Sequence, residues 1–377
     1  MIKVMTVVGT RPELIRLSRV IARLDATVDH VLVHTGQNYD YTLNQVFFDD
    51  LGIRQPDHML GVDTSSLGAV LGGTLIAIEK VIREERPDAL LVLGDTNSCI
   101  AALMAKRMKV PVYHMEAGNR CFDENVPEET NRRLVDHVAD FNLVYTEHAR
   151  RNLLAEGLHP RRIIKTGSPM REVLDAYRDQ ILASDVLDRL GLSEGGYFLV
   201  SAHREENVDA PDRLRMLLDC LVAVRTEFGL PVFVSTHPRT RKRLEALPDW
   251  SAPEGITFSE PLGFHDYNKL QLSAACVLSD SGTIAEESTI LGFPAITLRD
   301  SIERPEALDT GGIMMTGLDV RDVVTAVRVV TAPSSADNRA DALTPGDYLI
   351  DNTGERAVSF ILSTARRHSV WAGIRSL

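Results

Sequence analysis

Carboxylates stand at three places in the first half of the chain where a reaction could use them. They are Asp95 in Gly94-Asp95-Thr96, Glu116 in Glu116-Ala117-Gly118, and Glu128 with Glu129 in the run Pro127 to Arg133. Carboxylates gathered in one site push each other's proton affinities apart, so one can act as acid and another as base at neutral pH. Each has a plainer reading. Asp95 precedes Thr-Asn-Ser and a helical run, and serves equally well as a helix cap. Glu128 and Glu129 open a helix, where acids complement the dipole. Glu116 differs, because an acid at the end of an apolar strand is costly unless used or paired. There the functional reading outweighs the plain one.

Groups suited to phosphate lie at other turns. Arg11 follows Gly9-Thr10 and precedes Pro12, a favoured first-turn residue. An arginine beside a helix N-terminus can hold a pyrophosphate; a surface ion pair with Glu13 is the equal alternative. This turn is not G-x-G-x-x-G, so it does not imply NAD, and no redox cofactor is expected. His203, in Ser-Ala-His-Arg-Glu-Glu, reads as a contact to the pyrophosphate or the departing oxygen. His237 carries less, and Arg239 to Arg243 reads as a solvated helix face. Ser281-Gly282-Thr283 is small enough for backbone N–H groups to approach phosphate closely. Glu287, about a turn and a half on, is placed to accept hydrogen bonds from a ribose. The alternative makes Ser281 an N-cap and leaves the acids to the dipole. Arg299 with Asp300, and Glu303 to Glu306, read as charged loop elements on the same edge.

The elements that must position these residues are short apolar runs separated by helical patterns. The first half has IKVMTVV, HVLVHT, ALLVLG, VPVYHM, FNLVYT and RIIKTG; the second has YFLVSA, PVFVST, GITFSE, ACVLSD, PAITLR and a weaker GIMMTG. Unbroken apolar strands alternating with helices indicate parallel sheets covered on both faces. Two such series predict an α/β chain of two Rossmann-like, doubly wound domains facing each other across a cleft. Ligands in such sheets sit beyond the carboxyl ends of the strands, and the candidate residues follow strands directly. The expected domains are residues 1–168 and 169–357, hinged near Thr166 to Arg171, with a last helix over 358–377 packing back on the first. The segment Ala332 to Asp347 reads as an exposed connection.

Composition narrows the partners. At 377 residues two domains are the default, and 44% hydrophobic with 25% charged residues is ordinary for a folded protein. A net charge of -12 argues against a general nucleic-acid binder. It does not forbid an anionic substrate, since a few focused cations decide local potential. Cys99, Cys121, Cys220 and Cys276 are far apart, which disfavours a zinc site or disulfide framework and fits a reducing compartment. No apolar run reaches 18 residues, and the N-terminus reads as a strand rather than a signal peptide. The expectation is a soluble cytoplasmic protein with no metal and no membrane partner.

Taken together, GTRPE (9–13), TGQ (35–37), GDT (94–96), EAG (116–118), PEExNR (127–132), AHR (202–204), DSG with EE (280–287) and ERPEA (303–307) resemble the non-hydrolysing UDP-N-acetylglucosamine 2-epimerase family. The motifs run in family order across most of the chain. The resemblance implies a glycosyltransferase-B-like pair of domains, with UDP held mainly by the second. It implies that Asp95, Glu116 and Glu128 transfer protons, that His203 takes part in catalysis, and that Arg11 belongs to the active site. It places Glu129 and Arg132 nearby, assigns Ser281, Gly282 and Glu287 to UDP, and implies a homodimer. Arg16 stands where these enzymes commonly have lysine, and Asn38 where they have histidine. The interval GNRCFDENV between EAG and PEE is short. This combination is similar to the branch making UDP-N-acetyl-L-fucosamine from the 6-deoxy-L-talose sugar for surface polysaccharide.

The chemistry implied needs such groups. C2–H of the sugar is not next to a carbonyl, so plain deprotonation leaves an unstabilised carbanion. Elimination of UDP from C1 as the proton leaves gives a 2-acetamidoglycal; protonation of the other face and re-addition of UDP gives the epimer. That asks for carboxylates near C2 and cations or helix N-termini around the pyrophosphate. Alternatives are epimerisation of UDP-N-acetylglucosamine to UDP-N-acetylmannosamine, of the L-rhamnose-type amino sugar to the L-quinovose type, a nucleotide-sugar glycosyltransferase, and a non-catalytic UDP-sugar-binding protein.

Overall fold

The computed structural model describes residues 1–36, 41–248, 250–332 and 343–374. Gln37 and Asn38, and residues 333–342 of the expected connection, lie outside the described residues. The described chain divides into two compact units, Met1–Ala176 with Asp347–Leu377, and Tyr177–Gly346. The divisions therefore fall at 176/177 and 346/347, where 168/169 and 357/358 were expected. The Met170–Ala176 helix packs on the Arg11–Thr27 helix and stays with the first unit.

The first unit holds β1 (Lys3–Val8), β2 (Asp29–His34), β3 (His58–Met59), β4 (Ala89–Leu93), β5 (Val112–Met115), β6 (Phe141–Val144) and β7 (Ile163–Lys165). They form one parallel sheet in the order β3-β2-β1-β4-β5-β6-β7. The order reverses at β1 and β4, so the crevice beyond their carboxyl ends opens at the Gly9 and Gly94 turns. β4 is buried along its whole length, as a strand with helices on both faces must be.

The Arg11–Thr27 helix shows how local sequence sets an element. Leu14, Leu17, Ser18, Ile21 and Leu24 recur with helical period and are buried. Its start is closed by Glu13, whose carboxylate accepts from Gly9 N at 3.0 Å and Thr10 Oγ1 at 2.8 Å. Packed against the Arg11–Thr27 helix, the terminal helix Thr353–Trp371 brings Phe360 to 5.2 Å from Phe141, and Tyr113 Oη to 2.6 Å from Thr364 Oγ1.

The second unit holds β8 (Phe198–Ser201), β9 (Val232–Ser235), β10 (Ile256–Ser259), β11 (Cys276–Ser279), β12 (Ala295–Thr297) and β13 (Met314–Met315). The parallel order is β10-β9-β8-β11-β12-β13, with the same reversal at its middle, between β8 and β11. Its core is built from Phe198, Val200, Leu214, Leu221, Val234, Leu278, Ile296 and Val327.

Candidate active site

In the first unit the acids stand at the carboxyl ends of β4 and β5 and on the helix Pro127–Val138. Asp95 follows Gly94, whose φ of 72° turns the chain sharply out of β4. The plain reading of Asp95 as a cap does not hold, since the short helix Asn97–Ile100 has Thr96 at its N-cap. Asp95 instead pairs with Arg132, and its carbonyl accepts from Asn131 Nδ2 at 3.0 Å. The same Arg132 donates to Glu129 Oε2 at 2.6 Å. One guanidinium thus joins the first and third acid-bearing motifs.

Glu129 is buried, and burial pushes its carboxyl up. The charge of Arg132 and hydrogen bonds from Cys121 outweigh that and hold it below the usual range. Glu128 lies half-buried on the same first turn. Glu116 is buried and sits at φ 64°, a left-handed conformation uncommon for a residue with a side chain. Its carboxylate pairs with Arg16, and Asn119 Nδ2 approaches its other oxygen at 3.4 Å. The structure therefore answers the cost of the buried acid with a half-buried cation.

Arg11 does not pair with Glu13. Burial pushes Glu13 up while Ser98, Thr10 and Gly9 pull it down, and these bonds occupy it in closing the helix start. The Arg11 guanidinium lies 5.4 Å from the Phe47 ring centroid, a cation–π contact at the same helix N-terminus.

In the second unit the organiser is Asp280, at the end of β11 and fully buried. It accepts from His203 N at 3.0 Å, Arg204 N at 3.0 Å and Asn207 Nδ2 at 3.2 Å. His203 Nδ1 lies 3.4 Å from the same carboxylate, so Asp280 fixes both backbone and ring. His237 faces it, ring centroids 5.5 Å apart, and caps the helix Pro238–Glu245 with its own Nδ1 accepting from Arg239 N.

Ser281 is not the N-cap of the Ile284–Leu291 helix; that position is Thr283, with Ser281 Oγ bonded to it at 2.9 Å. A Cβ at Gly282 would lie 3.3 Å from the Arg204 guanidinium, so a larger residue there would push that side chain aside by a few tenths of an ångström. Glu287 is half-buried and accepts from Gln271 Nε2 at 2.7 Å.

Arg299, Glu303, Arg304 and Glu306 are interior rather than loop-surface charges. Arg299 bonds Glu303 at 2.6 Å; Arg304 bonds Glu286 and the Gly282 carbonyl, each at 2.6 Å. They brace the Gly282 turn from behind. The basic run is a surface, as expected: Arg239 and Arg243 are exposed and pair with Glu205 and Asp209.

Arg16 and Asp280 are central, yet Arg16 was read only as a family departure and Asp280 only as part of a turn. Asp280 had a signal: an acid closing an apolar strand, as at Glu116. Arg16 had none beyond its position on the second turn of a helix beginning at the sheet edge. Among the described residues no group of three or more His, Cys, Asp or Glu is arranged to hold a metal ion, and no helix is long and apolar enough to cross a membrane.

The sequence profile of the UDP-N-acetylglucosamine 2-epimerase family matches residues 22–362. A UDP-N-acetylglucosamine 2-epimerase structure from Rickettsia bellii is 45% identical, with a TM-score of 0.90 over 98% of each chain. The Methanocaldococcus jannaschii UDP-GlcNAc 2-epimerase in complex with UDP-GlcNAc and UDP is 33% identical, with a TM-score of 0.89 over 96% of this chain and 100% of that one. The UDP-2,3-diacetamido-2,3-dideoxy-D-glucuronate 2-epimerase of Pseudomonas aeruginosa is 34% identical over 328 residues, 85% of this chain and 90% of its own.

Proposed function

The chain belongs to the UDP-N-acetylglucosamine 2-epimerase family, and from that premise we propose that it inverts C2 of a UDP-N-acetylamino sugar by eliminating UDP and adding it back. The observation that carries the reading is the set of acids at the edge of the first sheet, held by two arginines. Asp95 and Glu129 share Arg132, and Glu116 pairs with Arg16. Carboxylates set beside arginines at the edge of a sheet suit removal and return of a proton.

In this reading Asp95, Glu116 and Glu128 move the C2 proton, with Glu129 and Arg132 ordering them. Arg11, at the start of its helix, contacts the substrate. His203, held by Asp280, donates toward the departing oxygen of UDP. Ser281 and Gly282 offer backbone N–H groups to the diphosphate, and Glu287 accepts from the ribose. A charge that develops on the leaving diphosphate is best met by donors already in position, as these are.

For the sugar we propose UDP-2,6-dideoxy-2-acetamido-L-talose, converted to UDP-N-acetyl-L-fucosamine by a cytoplasmic homodimer that supplies surface polysaccharide. What supports it is sequence detail: Arg16 in place of lysine, and the short GNRCFDENV interval. The second reading, UDP-N-acetylglucosamine to UDP-N-acetylmannosamine, is supported by the names of the Rickettsia and Methanocaldococcus proteins. Family membership does not choose between them, because the Pseudomonas relative is named for a third amino sugar at similar identity.

Proton NMR in D2O with the L-talo, L-rhamno and D-gluco UDP-N-acetylamino sugars, each alone, tests this. Deuterium entering C2 as an epimer forms is the expected result, with the L-talo sugar fastest. Faster turnover of the D-gluco sugar would move the assignment to the second reading. Binding of all three without exchange would defeat epimerisation.

A further inference from the structure

We propose that His114 and Asp136, buried beneath the acids, are positioning residues that keep Asp95 and Glu116 aligned for proton transfer; this rests on the role given to those two acids above. Both side chains are fully buried. His114 lies within β5, and its Nε2 donates to the Gly94 carbonyl at 2.7 Å. Its Nδ1 stands 2.9 Å from Asp136 Oδ1, at ion-pair distance. Asp136 in turn accepts from Gly118 N at 3.1 Å and Arg120 Nη1 at 2.7 Å. Arg120 forks onto Glu156, with both bonds at 2.7 Å.

One buried pair is thus fastened to two turns at once. It holds the carbonyl immediately before Asp95 and the amide two residues after Glu116. Asp136 also belongs to the Pro127–Val138 helix, whose first turns carry Glu128, Glu129 and Arg132. The three acid-bearing segments therefore converge on His114 and Asp136. The turn after β5 needs holding: Glu116 has φ 64°, a conformation sparsely populated for a residue with a side chain and persisting only when the surroundings over-determine it, whereas Gly94 takes its φ of 72° freely. Apolar side chains of similar volume often fill such a space as stably as a buried polar pair. What they could not do is anchor a carbonyl and an amide on neighbouring strands. A misplacement of an ångström at reacting groups costs about 100-fold in rate.

The test compares His114→Leu, His114→Gln and Asp136→Asn with the wild type, using C2 deuterium exchange on whichever of the three UDP-N-acetylamino sugars the wild type turns over. Gln restores a donor toward Gly94; Leu does not. For His114→Leu the expected result is kcat lower by about 100-fold with KM within threefold. Affinity for UDP should be unchanged, and His114→Gln should recover at least tenfold of the lost kcat. Should His114→Leu fail to fold, His114→Gln and Asp136→Asn carry the test, each expected to lower kcat without raising KM. Full kcat in any folded variant lacking the His114–Asp136 pair, or a loss confined to KM, would overturn the proposal while leaving the epimerase intact. A wild type that exchanges no C2 proton would overturn the epimerase reading first, and this proposal with it.

Discussion

Acid acts on individual side chains of the first unit in two separate windows. His34, at the end of β2, is buried, and its Nδ1 accepts from Gly36 N at 3.0 Å. Burial alone pushes the ring down from 6.5 to about 4. Between these pH values the unfolded chain binds a proton at His34 that the folded chain does not. Stability therefore rises with pH across the window and is lost as pH falls through it. The stake is about 3 kcal/mol. Glu129, held below the usual carboxylate range by Arg132, behaves otherwise. Its contribution is complete above the ordinary Glu value and fades only as pH drops through its own lower value. His34→Asn keeps an acceptor near the Gly36 amide and removes the titration. Urea unfolding at pH 6.5 and pH 4 should then show a difference between the two pH values smaller by about 3 kcal/mol than in the wild type. An unchanged difference would mean that acid lability arises elsewhere. None of this was legible in the sequence. HVLVHT announces a strand, but a histidine at its end looks the same whether its ring meets water or a packed interior.

At the scale of elements, the turn after β5 must pass close to the helix Glu147–Ala155. Gly118 has φ 83°, and a Cβ there would lie 2.3 Å from the Ala149 carbonyl oxygen. Gly157 has a similar φ of 85° with nothing within 4 Å of its would-be Cβ. The two glycines separate conformational strain from close approach. Gly157→Ala should cost about 1 kcal/mol, the left-handed term alone. Gly118→Ala should cost at least about 2 kcal/mol more, because a helix backbone has to shift. It should also slow C2 exchange by moving Glu116. Equal midpoints in denaturant for the two variants would show that the turn yields freely. The sequence did announce this turn, since EAG after an apolar strand marks the sheet edge. The strands themselves were legible because burial on both faces makes them continuously apolar. β3, two residues long, carries no such signal. The ion pairs were illegible for another reason. Arg16 and Glu116 meet across 100 residues of chain, and periodicity reports faces of elements, never partners.

For the whole molecule, the chain does not finish where its second sheet does. It returns at Asp347 to complete the first unit, which is therefore built from two separate stretches of chain. The terminal helix buries Ala357, Val358, Ile361 and Ala365 against it. Thr353 Oγ1 donates to the Thr166 and Ser168 carbonyls, and His368 lies 3.0 Å from Asp140, whose other oxygen accepts from Val112 N at the start of β5. A sequence can suggest such a return through an amphipathic last helix, but the partner face is set by tertiary packing alone. Each large apolar side chain withdrawn from that face forfeits about 1.5–3 kcal/mol. Several together approach the entire stability of a domain, about 5–15 kcal/mol. The second sheet has its own core, with Leu278 and Ile296 fully buried within it. A chain ending at residue 346 should therefore lose the first unit and keep the second. Amide exchange followed by mass spectrometry should show β1 to β7 exchanging freely while β8, β9, β11 and β12 retain protection. Slow exchange throughout β1, β4 and β5 in that shortened chain would mean that the terminal helix only covers a core able to stand alone. Loss of protection in both sheets would mean that the second unit depends on the first, against the separation of their cores.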